Sequence, residues 1–281
     1  MNFKKVFNSI FTYTPVNDYE FNLPEKDDVA VNTIESDTDK NKKIFYDLES
    51  NLEYIKASYN TLINSDIVIR DFTLNAKGKQ FDALLLYIDG MIDSNNMNDF
   101  ILKPLMLRNN NNLYNGRQEK IISQEVSNNV IIRKVKKLDL GKYLLNSLIP
   151  QNSVKQVSEF NNVFDAVNSG NCVLFIDTLN TAFDIEVKGF KQRNVDSPNN
   201  EVVIKGSQEA FVENIRTNTS ILRRIINNEN LIIENIAVGK ITKTKCGVCY
   251  MQNIANSELV AEAKFRLNNL AIDSLLSSRR T

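Results

Sequence analysis

The 281-residue chain contains no histidine. That removes the side chain that titrates near neutral pH, the commonest metal ligand, and the base of any Ser–His triad. Cysteine is nearly absent too: only Cys172, Cys246 and Cys249 occur. An odd, sparse set gives no disulfide framework and fits a reducing compartment. Glycine and proline number only 9 and 5. No G-x-G-x-x-G or G-x-x-x-x-G-K-[ST] phosphate loop and no G-x-S-x-G nucleophile elbow is present. Net charge is lacking, because 34 basic residues balance 34 acidic ones, so nothing steers the chain toward nucleic acid or an anionic membrane. No apolar run approaches the roughly 18–20 residues that span a bilayer. Residues 1–12 carry Lys4 and Lys5 but lack the apolar length and small-residue cleavage site of a secretory signal.

What is present reads as an α/β protein. Hydrophobic residues make up 42% and charged residues 24%, ordinary for a globular chain able to bury a core. Phe3, Val6, Phe7, Ile10 and Phe11 follow helical spacing, which fits either a short amphipathic contact segment or a frayed terminus. Residues 18–41 are acidic and poor in core formers, so 1–41 is expected to be a flexible tail. Apolar periodicity predicts a helix over 42–64, strands at Ile67–Leu74 and Phe81–Ile88 joined by a hairpin, and a helix from Asn96 to Leu107 that Pro104 kinks or ends. Val130–Val135 reads as a strand and 139–148 as a short helix. Then follow a strand at Val154–Val157, a helix at 159–168, strands at Cys172–Ile176 and Ala182–Val187, and a short strand at Val202–Ile204. A long helix over 208–227 is expected to be capped by Ser207, followed by strands at 231–238 and 243–250 and a helix at 257–268. The expected organisation is two subdomains, 42–150 and 151–281, each a small mixed β-sheet flanked by helices. An internal echo accompanies this: Tyr87, Met91 and Asp93 recur as Tyr250, Ile254 and Asn256 at the same spacing, each set following a hairpin.

Few residues stand out chemically. Cys246 and Cys249 form a C-x-x-C, but on a predicted strand rather than at a helix N-terminus, so they read as small core residues and not as a redox or zinc pair. No cofactor or metal site and no enzyme activity is expected. The unusual segment is 189–227, with Arg193, Asp196, Pro198, Glu201 and Gly206 leading into the helix that carries Phe211, Glu213, Arg216, Asn218, Arg223 and Arg224. Phe211, Ile215, Leu222 and Ile225 or Ile226 make a stripe expected to face the core. Asn218 falls on that stripe, where it must find partners, such as neighbouring backbone. Glu213, Arg216 and Arg223 lie on the polar face, as either a solvated surface or a contact surface, with Glu201 and Asp196 as candidate partners.

The run from Arg193 to Arg224 resembles the signature of the GerA family A subunits of spore germinant receptors. The matching residues are Arg193, Pro198, Glu201, Gly206, Phe211, Glu213, Arg216, Thr217, Asn218, Arg223 and Arg224, with Ser197 and Ser207 departing from an acidic residue and a proline. Ser65 to Arg70, Leu86 to Asp93, Ile101 to Met106 and Ser169 to Asp177 are similar to earlier stretches of the same domain, so the likeness runs from about 45 to 270. The resemblance implies the soluble N-terminal domain of a longer membrane protein, in a receptor of A, B and C subunits in the spore inner membrane, with this domain on the core side. It implies nutrient-triggered ion release, with the B subunit a candidate for nutrient binding and A subunits assembling into an oligomer. The residues nominated for coupling or ligand binding are Arg193, Glu201, Glu213, Arg216, Asn218, Arg223 and Arg224. The two roles held open are coupling through subunit contacts and capture of a small nutrient in a cleft between subdomains.

Overall fold

A computed structural model describes residues 42–76, 79–107, 140–189, 211–270 and 272–273. The chain divides into two compact units. The described residues of the larger lie within Asp37–Thr61 and Asp66–Glu229, those of the smaller within Leu62–Ser65 and Asn230–Thr281. The expected boundary at residue 150 falls inside the larger unit. The strands on its two sides belong to one sheet, because β2 is hydrogen-bonded directly to β4. The expected tail, Val130–Val135, Val202–Ile204, Ser207, Arg193, Asp196 and Glu201 lie outside the described residues.

The larger unit is built from α1 (Leu48–Tyr59), β1 (Ile67–Ala76), β2 (Lys79–Ile88), α2 (Ser94–Met97), a π turn (Asn98–Leu102), α3 (Lys103–Met106), α4 (Leu140–Tyr143), a second π turn (Leu144–Leu148), β3 (Val154–Val157), α5 (Phe160–Asn168), β4 (Cys172–Ile176), β5 (Ala182–Ile185) and α6 (Ile215–Ile225). Its strands form one sheet in the order β1-β2-β4-β5-β3. Every pairing is antiparallel, where mixed sheets were expected. Hairpin connections impose this for neighbours such as β1–β2, whereas parallel pairing requires a long crossover.

Helices cover both faces of this sheet. Leu84, Leu86 and Ile88 of β2 with Val173 and Phe175 of β4 pack under α1 and α5, against Ile55, Tyr59, Phe160, Val163 and Val167. The alternate residues Ala83, Leu85, Cys172, Leu174 and Ile176 pack against Ile101, Leu102, Leu105, Leu144 and Leu148 on the opposite side. Successive strand residues point to opposite faces, so a strand covered on both sides is apolar without alternation. That is why β2 and β4 read as continuous runs.

The helix after β2 changes pitch. Pro104 has no N–H to offer the Phe100 carbonyl, and its ring crowds that carbonyl. The helix widens just before it, with Lys103 N–H bonded to Asn98 O, the kind of local adjustment proline causes.

The smaller unit is the hairpin of β6 (Leu231–Val238) and β7 (Thr244–Met251) with α7 (Ser257–Asn268). Lys264 of α7 bonds Glu234 of β6 at 3.0 Å. Residues 64 and 65 edge β6: Asn64 accepts from Ile233 N–H at 3.0 Å and donates to Leu231 O at 3.2 Å, and Ser65 N–H donates to Ile233 O at 2.8 Å. The echo between the two hairpins is structural. Met91 N–H bonds Ile88 O after the first, and Ile254 N–H bonds Met251 O after the second. Asp93 then caps α2 and Asn256 caps α7, each accepting backbone N–H bonds two and three residues on, the ordinary preference of an Asx residue at a helix start. Cys246 is half-buried and Cys249 exposed on β7, so Cys249 is not the core residue expected. Among the described residues no helix is long and apolar enough to cross a membrane.

Candidate functional site

The site lies at one end of the β1–β2 hairpin, within the larger unit. Ile67 pairs with Ile88, so Asp66 and Asp89, one residue beyond on each strand, come together, with Asp89 N–H donating to Asp66 O at 2.8 Å. Two aspartates distant in sequence thereby reach the same end of the sheet. Helix α6 supplies their cations. Arg223 grips Asp66 through both carboxylate oxygens, Nε to Oδ2 and Nη2 to Oδ1, each at 2.9 Å. Both side chains are 1% exposed. Seven residues earlier, Arg216 Nε lies 3.1 Å from Asp89 Oδ2, with side chains 38% and 45% exposed.

The approach of α6 requires Gly90. Its φ is +90°, and a Cβ there would lie 3.2 Å from the Arg216 carbonyl oxygen, so any other residue meets both left-handed strain and the helix backbone. On the other flank of the same loop, Gly189 lies so close to Asp93 that a Cβ would fall 2.3–2.5 Å from its backbone and Cβ atoms. Asp93 N–H donates to Val187 O at 2.8 Å and Gly189 N–H to Met91 O at 3.1 Å. The Asp89–Asp93 loop is therefore held from two directions by backbone.

Helix α6 itself departs from expectation. It begins at Ile215, capped by Asn214, whose side chain accepts the Arg216 N–H at 2.9 Å. Residues 211–214 are not helical, so the expected start near 208 is too early there. Phe211 and Ile225 are 64% and 68% exposed. The apolar stripe does not face the core. Thr219, Ser220, Ile221 and Arg223 are buried instead. This inversion has a physical basis. The Thr219 hydroxyl bonds Arg216 O at 3.0 Å and the Ser220 hydroxyl bonds Thr217 O at 2.7 Å, so their burial leaves no hydroxyl unsatisfied. The small Ser220 side chain also lets the loop at Gly90 approach.

Asn218 behaves as its position suggested. Its Oδ1 accepts Val212 N–H and its Nδ2 donates to Val212 O, both at 2.7 Å. It ties the chain entering the helix to the second turn. Asn51 of α1 does the same to Phe45, with both bonds at 2.9 Å. Beneath the site, the Tyr59 hydroxyl donates to Asn168 Oδ1 at 3.2 Å. Burial pushes the Tyr59 phenol well above its usual range, with the Arg223 charge pulling the other way.

Of the nominated residues, Arg216 and Arg223 meet at this end of the sheet, and Asn218 sits on the same helix, bonded to Val212. Glu213 is exposed and Arg224 half-buried on the same stretch of chain. Arg193 and Glu201 lie outside the described residues. The nominated acidic partners, Glu201 and Asp196, also lie outside the described residues. Asp66 and Asp89 hold the arginines, and their signal was hairpin register: each is the first residue beyond a paired strand end.

Helices on both faces of an antiparallel sheet, with a buried Arg–Asp fork, describe an α/β domain whose helix α6 is fixed to one end of the β1–β2 hairpin. The chain belongs to the GerA family, described as Bacillus/Clostridium GerA spore germination protein, which matches residues 53–280. Among relatives, it is 26% identical to spore germination protein KA of Bacillus subtilis over 215 residues, 76% of this chain and 35% of that one. It is 29% identical to spore germination protein B1 of the same organism over 232 residues, 83% of this chain and 42% of that one. An uncharacterized B. subtilis membrane protein, YfkQ, is 26% identical over 257 residues, 90% of this chain and 44% of that one. The chain thus spans about two fifths of the length of these curated relatives. The fold is similar to the crystal structure of the N-terminal domain of the A subunit of the Bacillus megaterium spore germinant receptor GerK3. The TM-score is 0.54 at 23% identity, covering 82% of this chain and 74% of that one.

Proposed function

We propose that this chain is the N-terminal domain of a spore germinant receptor A subunit, and that it couples a nutrient-binding event to the membrane part of the receptor through subunit contacts. Its partners on this reading are B- and C-type subunits and other A subunits, at the spore inner membrane, with the domain on the core side. It turns over no substrate. The observation that carries the reading is the contrast within α6. Arg223 is consumed inside the unit, whereas Arg216 and Asp89, anchored beside it at the Gly90 loop, present a half-exposed pair. Exposed pairs add little to stability, typically below about 1 kcal/mol, so this one is available for exchange with charges on another subunit.

The test places Arg216→Glu in the intact receptor and measures spore germination, with thermal unfolding of the isolated domain in parallel. The expected result is a near-native melting temperature and a lost or strongly slowed nutrient response. A fully responsive spore refutes coupling through this face.

A further inference from the structure

We propose that the groove between β1 and the α2–α3 segment is a binding site for a small monocarboxylate with a branched apolar tail. This site is separate from the Arg216–Asp89 surface, and its standing does not depend on the coupling role. The groove has a volume of about 480 Å³ and is lined by Arg70, Asn95, Asn98, Leu102, Met106 and Leu107, with the Lys103–Asp99 pair at its rim. That volume lies in the range of about 300–1,000 Å³ typical of small-molecule sites.

Its chemistry is asymmetric. Arg216, Arg223 and Arg266 each hold a carboxylate. Arg70 holds none among the described residues, and its guanidinium meets only the Met106 sulfur, at 3.9 Å. Sulfur is a weak acceptor, so the fork that suits a carboxylate bidentately is unused. Lys103 and Asp99 neutralise each other one helical turn apart at the rim, which leaves Arg70 as the charge that selects the ligand's sign. The carboxamides of Asn95 and Asn98 stand beside it without a side-chain partner of their own among the described residues, able to donate to a second carboxylate oxygen. The other wall is apolar: Leu102 is buried at the floor, while Met106 and Leu107 are 41% and 63% exposed. The π turn at Asn98–Leu102 shapes this wall, and such turns are frequent at functional sites.

The probe is isovalerate, titrated into the whole chain at constant ionic strength and followed by amide chemical shifts, with isovaleramide as its neutral counterpart. Saturable shifts are expected around Arg70, Asn98 and Leu102 with isovalerate and none with isovaleramide. Arg70→Gln is expected to weaken binding by about tenfold, the loss of one charge-assisted interaction, with an unchanged unfolding temperature because the residue is exposed. Asn98→Asp, which adds a negative charge without touching Arg70, is expected to weaken it as well. Non-saturable shifts, equal binding of the amide, or full affinity in Arg70→Gln overturns the proposal.

Discussion

Arg216 and Arg223 occupy one stripe of α6, two turns apart, and each meets an aspartate from one end of the same hairpin. Arg223 and Asp66 are withdrawn from water and joined by a two-pronged contact, whereas Arg216 Nε lies 3.1 Å from Asp89 and both side chains remain more than a third exposed. The chemical groups are identical; the surroundings decide what they are for. In a buried site the Coulombic attraction is strong, but the desolvation of both ions offsets it. Such a pair contributes little beyond a well-packed apolar replacement, yet punishes any change that strands one member. It fixes where α6 sits. In water the attraction is screened and the partners exchange freely. The outer pair can therefore change partners without unfolding the unit that the inner pair registers.

The largest expected effect sharpens this contrast from the inside. Arg223→Met leaves the Asp66 carboxylate buried without its cation and is expected to cost about 3–5 kcal/mol in urea unfolding. Adding Asp66→Leu to that variant is expected to recover most of the loss, because no buried charge then remains. If the double variant is no more stable than the single one, the buried pair is not the unit of energy described above.

Asn218→Leu comes next. It strands the Val212 N–H and C=O, at an expected cost of about 1–3 kcal/mol. Hydrogen exchange at the start of α6 should accelerate with it. A gain in stability would show that these two bonds contribute nothing.

Gly90→Ala is expected to cost about 1–3 kcal/mol, from left-handed strain and contact with the Arg216 carbonyl. Its signature is a shift of α6 that weakens the Arg216–Asp89 contact while Arg223 keeps Asp66. That is visible as chemical-shift changes at Arg216 larger than at Arg223.

The smallest effect belongs to the outer pair. Arg216→Met is expected to change stability by less than about 1 kcal/mol, and by still less at 1 M salt, where screening acts within about 3 Å. Equal losses for Arg216→Met and Arg223→Met in low salt would erase the distinction between the two.

Much of the fold was legible because it rests on local chemistry. Alternating and continuous apolar runs placed β1 through β7 with small errors at their ends. Asp93 and Asn256, at matching distances from Tyr87 and Tyr250, proved to be caps because a short polar side chain can satisfy the first turn of the helix that follows it. Asn218 was assigned a backbone partner because an amide on an apolar stripe needs one, and Val212 is that partner. The misreadings share one cause. Helical periodicity extended α6 back to residue 208 and turned Phe211 inward, since periodicity records which residues share a face but not which face the core takes. The division at 150 failed for a similar reason: β2 and β4 are each complete as local patterns, and nothing local says that they pair.

The sequence by itself determined the kinds of element, their order and the family, since each depends on residues within a few turns of one another or on motifs in a fixed order. Only the tertiary structure decided that five antiparallel strands share one sheet, that Asp66 receives Arg223, and that α6 buries Thr219 and Ser220 while Ile225 stays exposed. Those outcomes depend on which surfaces meet across long stretches of chain, as the Asp66–Arg223 separation of 157 residues illustrates. The burial that rewards one arrangement over another exists only once both surfaces are in place.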